Sequence, residues 1–276
     1  MLNRRDSFVA VLAGSALAAG ASAGTAKAAE GETGWEQIHR TKTLRYGAIA
    51  YPPYWFKDRD TGKWSGALVD MAEDIANVLS VEPVPVETTW AACVLDLQSN
   101  KTDLQFALQA TPTRALSLDF AGPTYQIGWY AINRHGFTAK TWDDYNRPEV
   151  KLAVVLGTSD VVILQKMAPR ATRVELPAIA EAAMSVSAGR ADAMITTVMG
   201  ALVAKNKNPG LGDFVLPTPY VSLPAYIGLR RESDDSLRKF LVAWSEWNSL
   251  LGYNDQRLKK YMASAGVTDL PDNIRF

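Results

Sequence analysis

The chain has 276 residues, with 29 basic and 29 acidic side chains and a formal net charge of zero. This balance excludes the basic stripe that recruits nucleic acid or anionic lipid, so we expect no nucleic-acid partner. The length suffices for two modest hydrophobic cores or one large one. Cys93 is the single cysteine, which excludes an intrachain disulfide and favours a small buried core residue.

The first 29 residues have the composition of an export signal, which we keep apart from the fold. Arg4 and Arg5 form the charged start, residues 8–21 form an apolar stretch, and residues 26–28 offer a small-x-small cleavage site. The twin arginines favour the Tat route over an ordinary Sec signal. The apolar stretch is too short and too rich in small residues for a membrane anchor. We therefore expect a soluble periplasmic protein.

Hydrophobic periodicity predicts helices and strands that alternate along the mature chain. A helix face carries Leu68, Met71, Ile75, Val78 and Leu79. Residues 104–109 alternate in the manner of a strand with two distinct faces. The apolar run of residues 151–156 is typical of a parallel strand that is covered on both sides.

The second half of the chain continues this alternation. It predicts a turn at 157–160, a helix through 167, a helix over 178–188, a strand over 193–196 and a long helix over 237–251. Gly189 and Gly252 follow two of these helices as C-terminal caps, and Ser233 with its acidic neighbours is expected to start the last one. Alternating strands and helices predict an α/β fold with parallel-rich sheets.

Several motifs occur in an order and spacing that resemble the extracytoplasmic solute-binding proteins of polar amino-acid ABC importers (solute-binding family 3). The resemblance runs from about Leu44 to the C-terminal helices. The motifs are Tyr51-Pro52-Pro53-Tyr54-Trp55-Phe56, Gly66-Ala67-Leu68-Val69-Asp70, Trp90, Asn100-Lys101-Thr102-Asp103, Thr111-Pro112-Thr113-Arg114-Ala115 and Asp119-Phe120-Ala121-Gly122-Pro123.

This resemblance implies a two-lobed type II periplasmic binding protein fold with two crossing hinge strands, near 126–133 and 223–229. Lobe 1 would comprise residues 30–133 plus 223–276, and lobe 2 residues 134–222. The ligand would lie in the cleft between the lobes, which closes around it. The implied partners are a small carboxylated solute and the membrane permease of an ABC importer. We expect a monomer without cofactor or metal.

Arg114 is the first candidate for ligand binding. The family uses the Arg of its Thr-x-x-Arg turn to bind the ligand carboxylate, and residues 111–114 match that turn. A guanidinium suits this role because its planar fork donates two parallel hydrogen bonds to a carboxylate. The alternative is a surface Arg that pairs with Asp119.

Further candidates surround the same expected cleft. Thr158 and Ser159 lie where a buried strand meets a helix, so free backbone N–H groups and the helix dipole would attract an anion; an ordinary helix cap is the alternative. Tyr51 and Trp90 fall where relatives stack a ring on the ligand, and Gln109 could donate its amide. We interpret Tyr54, Trp55 and Trp129 as core or hinge packing.

Position 197 departs from the family pattern. Amino-acid binders place an Asp after the strand that ends here at Thr196, and this Asp takes the ligand ammonium, but Thr197 stands in its place. An Arg without a carboxylate partner disfavours a buried ammonium group. The sequence therefore favours a hydroxy, oxo or aromatic carboxylate, or a betaine-like solute that rests on Tyr51 and Trp90.

Enzyme motifs are absent from the mature sequence, which contains no phosphate-binding glycine loop, nucleophile elbow or metal-spaced histidine pair. We therefore predict a binding protein and not an enzyme. One enzymatic alternative remains, because periplasmic cyclohexadienyl dehydratases share the implied fold; they need an acid in the cleft, and the sequence identifies none. A ligand sensor for a membrane receptor is the other alternative.

Overall fold

A computed structural model describes residues 31–264, except for the side chains of Val203 and Asn206. The described residues from Thr33 onward belong to one compact unit. The expected export signal lies outside the described residues, as do residues 265–276. None of the helices between residues 31 and 264 combines the length and the apolar character that a membrane-spanning helix needs.

Helices and strands alternate through the described residues, as the periodicity predicts. In chain order they are α1 (Gly34–Thr41), β1 (Thr43–Ala48), β2 (Phe56–Lys57), β3 (Trp64–Ser65), α2 (Ala67–Leu79), β4 (Glu82–Glu87), α3 (Cys93–Gln98), β5 (Leu104–Leu108), α4 (Pro112–Ala115), β6 (Leu118–Asn133), α5 (Trp142–Tyr145), β7 (Lys151–Val155), α6 (Ser159–Met167), β8 (Thr172–Leu176), α7 (Ile179–Ser187), β9 (Ala193–Thr197), α8 (Val198–Lys207), β10 (Asp213–Val215), β11 (Ser222–Arg230), α9 (Ser236–Leu250) and α10 (Tyr253–Ser264).

One long strand, β6, joins two groups of strands. The strand order is β4-β1-β5-β11-β6-β9-β7-β8, and β10 also pairs with β6. Residues 118–128 of β6 pair with β11, whereas residues 129–133 pair with β9. We call the strands β4, β1, β5, β11 and the first part of β6 the first half-sheet. The last part of β6 with β7, β8, β9 and β10 is the second half-sheet.

The outer strands of each half-sheet pair in parallel, and the middle strands pair antiparallel. β1 pairs in parallel with β4 and β5, and β7 pairs in parallel with β8 and β9. β6 and β11 add the antiparallel pairs. The predicted α/β class with parallel-rich sheets is therefore confirmed, while the predicted lobe boundaries stay a prediction.

Three local expectations need correction. Val78 lies on the solvent side of α2 and is 62% exposed, whereas Leu68, Met71 and Ile75 are buried. The strand at residues 104–108 is buried along its whole length, because other segments, α3 among them, pack on β5 and because Gln105 packs against Gly47 of β1. Asp235 and not Ser233 stands at the N-cap of α9, where the Asp234 carboxylate accepts from the Ser236 N–H at 3.2 Å.

A buried ion pair fixes β1 against the turn before β5. The Asp103 side chain is 1% exposed, and its carboxylate accepts from the Arg45 backbone N–H at 2.7 Å and from the Arg45 guanidinium. The same guanidinium donates to the Asn100 carbonyl at 2.7 Å. These bonds place the start of β5, and therefore the residues that follow β5, relative to β1.

We predict that Asp103→Ala lowers the free energy of unfolding by about 2–4 kcal/mol, because it leaves a half-buried guanidinium without its carboxylate. Lys101→Ala is the matched control, since Lys101 is half exposed and its pair with Asp96 is worth about 1 kcal/mol or less. Urea denaturation of the three proteins measures both effects. Equal losses in the two variants would contradict the structural role of Asp103.

Candidate functional site

A pocket of about 410 Å³ of empty space, partly open to solvent, lies where the two half-sheets meet. The residues that line it are Tyr51, Tyr54, Trp90, Ala107, Leu108, Gln109, Arg114, Ile127, Thr158, Ser159, Asp160 and Thr197. All seven candidates from the sequence therefore line one pocket. Their contacts with a ligand stay a prediction.

Arg114 reaches the pocket from the short helix α4. Thr111 caps this helix, and its hydroxyl accepts from the Arg114 backbone N–H at 3.3 Å. The guanidinium donates to the Gln109 carbonyl at 3.2 Å, and no ion pair among the described residues includes it. Asp119 pairs instead with Arg231 at 3.2 Å, so the alternative Arg114–Asp119 pair is wrong. Burial lowers the pKa of Arg114, although a guanidinium stays protonated in proteins.

Aromatic rings form the wall of the pocket that follows β1. The Tyr51 and Tyr54 rings stack with centroids 6.1 Å apart, and the Trp90 ring meets Tyr51 edge-on at 5.9 Å. The indole nitrogen of Trp90 is buried and has no hydrogen-bond partner among the described residues. Tyr54 is buried in the core as expected and also lines the pocket, while Trp55 and Trp129 are fully buried.

The start of α6 forms the opposite wall. The Thr158 side chain caps the helix: its hydroxyl accepts from the Asp160 N–H at 3.3 Å and donates to the Val155 carbonyl at 2.7 Å. Ser159 is the first residue of the helix and is buried. Gly157 has φ +78°, and a Cβ there would lie 3.0 Å from the Ala91 Cα, so glycine permits the two half-sheets to approach.

Thr197 ends β9 and caps α8. Its hydroxyl accepts from the Gly200 N–H at 3.1 Å. The neighbouring Thr196 hydroxyl lies 3.3 Å from the Tyr51 hydroxyl, which is a polar contact between the two half-sheets. Thr197 therefore has a structural role in α8 beside its place in the pocket wall.

Asp160 is the pocket residue that the sequence analysis misses. Its side chain is buried, and Oδ1 accepts from the Trp129 indole N–H at 2.8 Å. Asp160 thus places in the pocket a carboxyl group that the sequence alone does not identify. Asp160 follows directly on the predicted anion-binding turn, where an acidic residue is ordinarily read as a favourable charge at a helix start. The signal that could have found it is a buried indole on the hinge strand, which needs an acceptor.

Burial changes the pKa of the acidic groups around this pocket. It raises the pKa of Asp160 to about 6, against the opposing hydrogen bonds from Trp129 and Thr158. Burial and the nearby Asp160 charge raise the pKa of Tyr51 to about 12. Asp160 is therefore ionised at neutral pH only against a desolvation penalty.

No group of three or more His, Cys, Asp or Glu side chains within residues 31–264 is arranged to hold a metal ion. The pocket contributes one guanidinium, one carboxyl group, hydroxyls and aromatic rings. This set is suited to binding an organic solute that has both apolar and charged parts.

Comparison with known proteins identifies the family. Residues 44–264 match the family model of bacterial extracellular solute-binding proteins, family 3. The match covers most of the chain. The chain belongs to this family.

Two solved structures share the fold of this solute-binding protein. The ancestral amino acid-binding protein AncCDT-1, a precursor of cyclohexadienyl dehydratase, is 29% identical with a TM-score of 0.72, over 82% of this chain and 97% of that chain. A mutant of ArgBP from T. maritima is 25% identical with a TM-score of 0.72, over 84% of this chain and all of that one. The two-lobed periplasmic binding protein fold is thereby confirmed.

A curated relative is a "Probable histidine-binding protein" of Campylobacter jejuni subsp. jejuni. It is 33% identical over 125 residues, which are 44% of this chain and 47% of that protein. The match thus spans about half the length of the curated relative.

We predict that Asp160→Asn stabilises the unliganded solute-binding protein at alkaline pH. The raised pKa means that the folded protein binds more protons than the unfolded chain between about pH 4 and 6, so wild-type stability falls as the pH rises through this window. Asn keeps an acceptor for the Trp129 N–H but carries no charge. The stability advantage of the variant should therefore be about 2 kcal/mol larger at pH 8 than at pH 4.

Thermal unfolding of both proteins at the two pH values measures this difference. The contributions of the other titrating groups are the same in both proteins and cancel. A constant difference across pH would show that the Asp160 carboxyl group is not desolvated in the folded protein.

Proposed function

We propose that this chain is the solute-binding component of an ABC uptake system and that it holds a small carboxylated solute between its two half-sheets. The Arg114 guanidinium carries the proposal: it lines the pocket and no ion pair of the described residues includes it. A partly buried cation without a counter-ion is costly, and a ligand carboxylate would supply the counter-ion.

Three further features of the pocket support an organic anion. The start of α6 lines the same pocket as Arg114, and the dipole of this helix favours an anion there. The unpartnered indole N–H of Trp90 is a second donor. The Tyr51 and Tyr54 rings, with Leu108 and Ile127, offer apolar surface to the body of the solute.

The class of solute follows from these groups and from the relatives. Amino acids and hydroxy, oxo or aromatic acids all carry the carboxylate that Arg114 would bind, and a betaine-like solute would add a diffuse cation for the aromatic wall. The names of AncCDT-1 and of the C. jejuni relative refer to amino-acid and histidine binding. Amino-acid-like solutes are therefore the first ones to test.

The cellular setting that we propose is the periplasm. The export signal of residues 1–29, through the Tat route, would deliver the protein there, and the partner would be the membrane permease of the importer. We propose that the protein acts as a monomer.

We predict that Arg114→Ala abolishes ligand-induced stabilisation. Mature protein screened by thermal shift with amino acids and 2-hydroxy, 2-oxo and aromatic acids should respond to at least one of them. At a hundredfold excess over Kd the gain is about 2.7 kcal/mol, which corresponds to roughly 5–10 °C for a chain of this size. The variant should lose this shift and keep the Tm of the unliganded protein within a few degrees.

Arg147→Ala is the matched control, because Arg147 is half exposed and lies outside the pocket, and it should keep the full ligand response. An unchanged Kd in Arg114→Ala would contradict the anchor role. Failure of the wild type to bind any compound of the screen would contradict the proposed function.

A further inference from the structure

Two opposite charges line the pocket without pairing with each other. Arg114 approaches from α4, which packs on the first part of β6, and Asp160 approaches from α6, which packs on β7 and β9. Neither side chain forms an ion pair with another described residue. The pocket therefore contains one basic and one acidic group without an ion-pair partner among the described residues.

The charge of Asp160 is favourable at a helix start, but this effect is small beside the cost of burying a carboxylate. The Thr158 hydroxyl already caps α6, so the helix does not need the Asp160 carboxylate as its cap. The Trp129 indole needs an acceptor, which an uncharged amide oxygen could supply equally well. Burying a carboxylate for these purposes alone would cost stability without a return in the unliganded protein.

We propose that Asp160 is a specificity-determining residue that pairs with a cationic nitrogen of the ligand, and that the solute is therefore a zwitterion such as an α-amino acid. This inference rests on the proposed function, since it assigns the ligand carboxylate to Arg114. Asp160 would then supply, from a helix start, the counter-charge that the family pattern places at position 197 and that Thr197 lacks. The preference against an ammonium group that Thr197 suggested would be reversed.

Few other groups near Asp160 titrate or carry charge. The pocket itself adds Arg114, Tyr51 and Tyr54, and burial raises the pKa of both tyrosines. Among the strands that pack against α6, β9 contains no charged residue and β7 contains only Lys151, which is exposed. On β6, which contributes Trp129, Tyr125 and Tyr130 have raised pKa values and Asp119 pairs with Arg231.

Asp160 is therefore the pocket group whose charge changes between pH 5 and 8. A cationic nitrogen binds the ionised carboxylate, so affinity for a zwitterion should rise with pH through this window. A plain carboxylate is repelled by the ionised form, so its affinity should fall. The two ligand classes thus have opposite pH dependences, which a purely structural Asp160 would not produce.

Calorimetry with matched ligand pairs tests this inference. The probes are L-glutamine, L-phenylalanine and L-arginine, each with its 2-hydroxy analogue, because none of them titrates between pH 5 and 8. For a pair that binds, the wild type should prefer the amino acid at pH 8 by on the order of 30-fold or more, as expected for a desolvated charge pair. The preference should shrink towards pH 5.

Asp160→Asn should lose on the order of 30-fold or more in affinity for the amino acid at pH 8, while its affinity for the hydroxy analogue stays equal or increases. Asp160→Glu should recover part of the preference, because it restores the charge. Asp255→Asn is the matched control, since Asp255 lies in the first turn of α10, outside the pocket, and should leave both affinities unchanged. Thermal unfolding verifies that each variant is folded.

A wild type that binds the hydroxy analogue as tightly as the amino acid would overturn the inference, as would an Asp160→Asn variant with unchanged preference. If Arg114→Ala abolishes binding in either case, the proposed function stands and only the role of Asp160 falls. If none of the six probes and no compound of the thermal-shift screen binds the wild type, both fall.

Discussion

The structure of this solute-binding protein depends on keeping a buried cation and a buried anion apart within one pocket. Arg114 and Asp160 both lose hydration there, and neither gains the other as a partner. Hydrogen bonds with the surrounding fold offset part of this cost: the Arg114 guanidinium donates to the Gln109 carbonyl, and the Trp129 indole N–H donates to the Asp160 carboxyl group. A ligand with complementary charges would relieve both penalties at once, so the same arrangement that lowers stability creates affinity.

The two half-sheets bring these charges together because β6 runs through both of them. Trp129 lies on β6 at the point where its pairing changes from β11 to β9, and its indole holds Asp160. Two close approaches complete the pocket: Gly157 against the backbone of Ala91, and Gly200 against the Tyr51 hydroxyl. A Cβ would lie 3.0 Å from the Ala91 Cα at Gly157 and 2.2 Å from the Tyr51 hydroxyl at Gly200, so glycine at these two positions permits the close approach.

Much of this site follows from sequence order alone. Arg114, Thr158 and Tyr51 belong to motifs whose positions relative to strands and helices can be predicted from the sequence. The structure brings all three residues to one pocket. The neighbouring residues make each motif recognisable: a Thr-Pro turn, a Gly-Thr-Ser helix start and an aromatic loop.

The remaining features depend on contacts between distant segments. In the sequence, Asp160 resembles any acidic residue in a first helical turn. Its hydrogen bond with Trp129, which lies 31 positions earlier, forms only in the folded protein. Likewise, the alternation at residues 104–108 suggests an exposed face, but the whole strand is buried once distant segments, α3 among them, pack on it. Periodicity reports the polarity of a segment, whereas burial is decided by what packs on it. Asp160 is missed for this reason, because its burial depends on a segment that is distant in the sequence.

A crystal structure of the mature protein with a bound α-amino acid would test the central claim most directly. We expect the ligand carboxylate to accept two hydrogen bonds from the Arg114 guanidinium, and the ligand ammonium group to lie within hydrogen-bond distance of the Asp160 carboxylate. A ligand bound in the pocket with its ammonium group at Thr197 and water, and with Asp160 turned only towards Trp129, would contradict it.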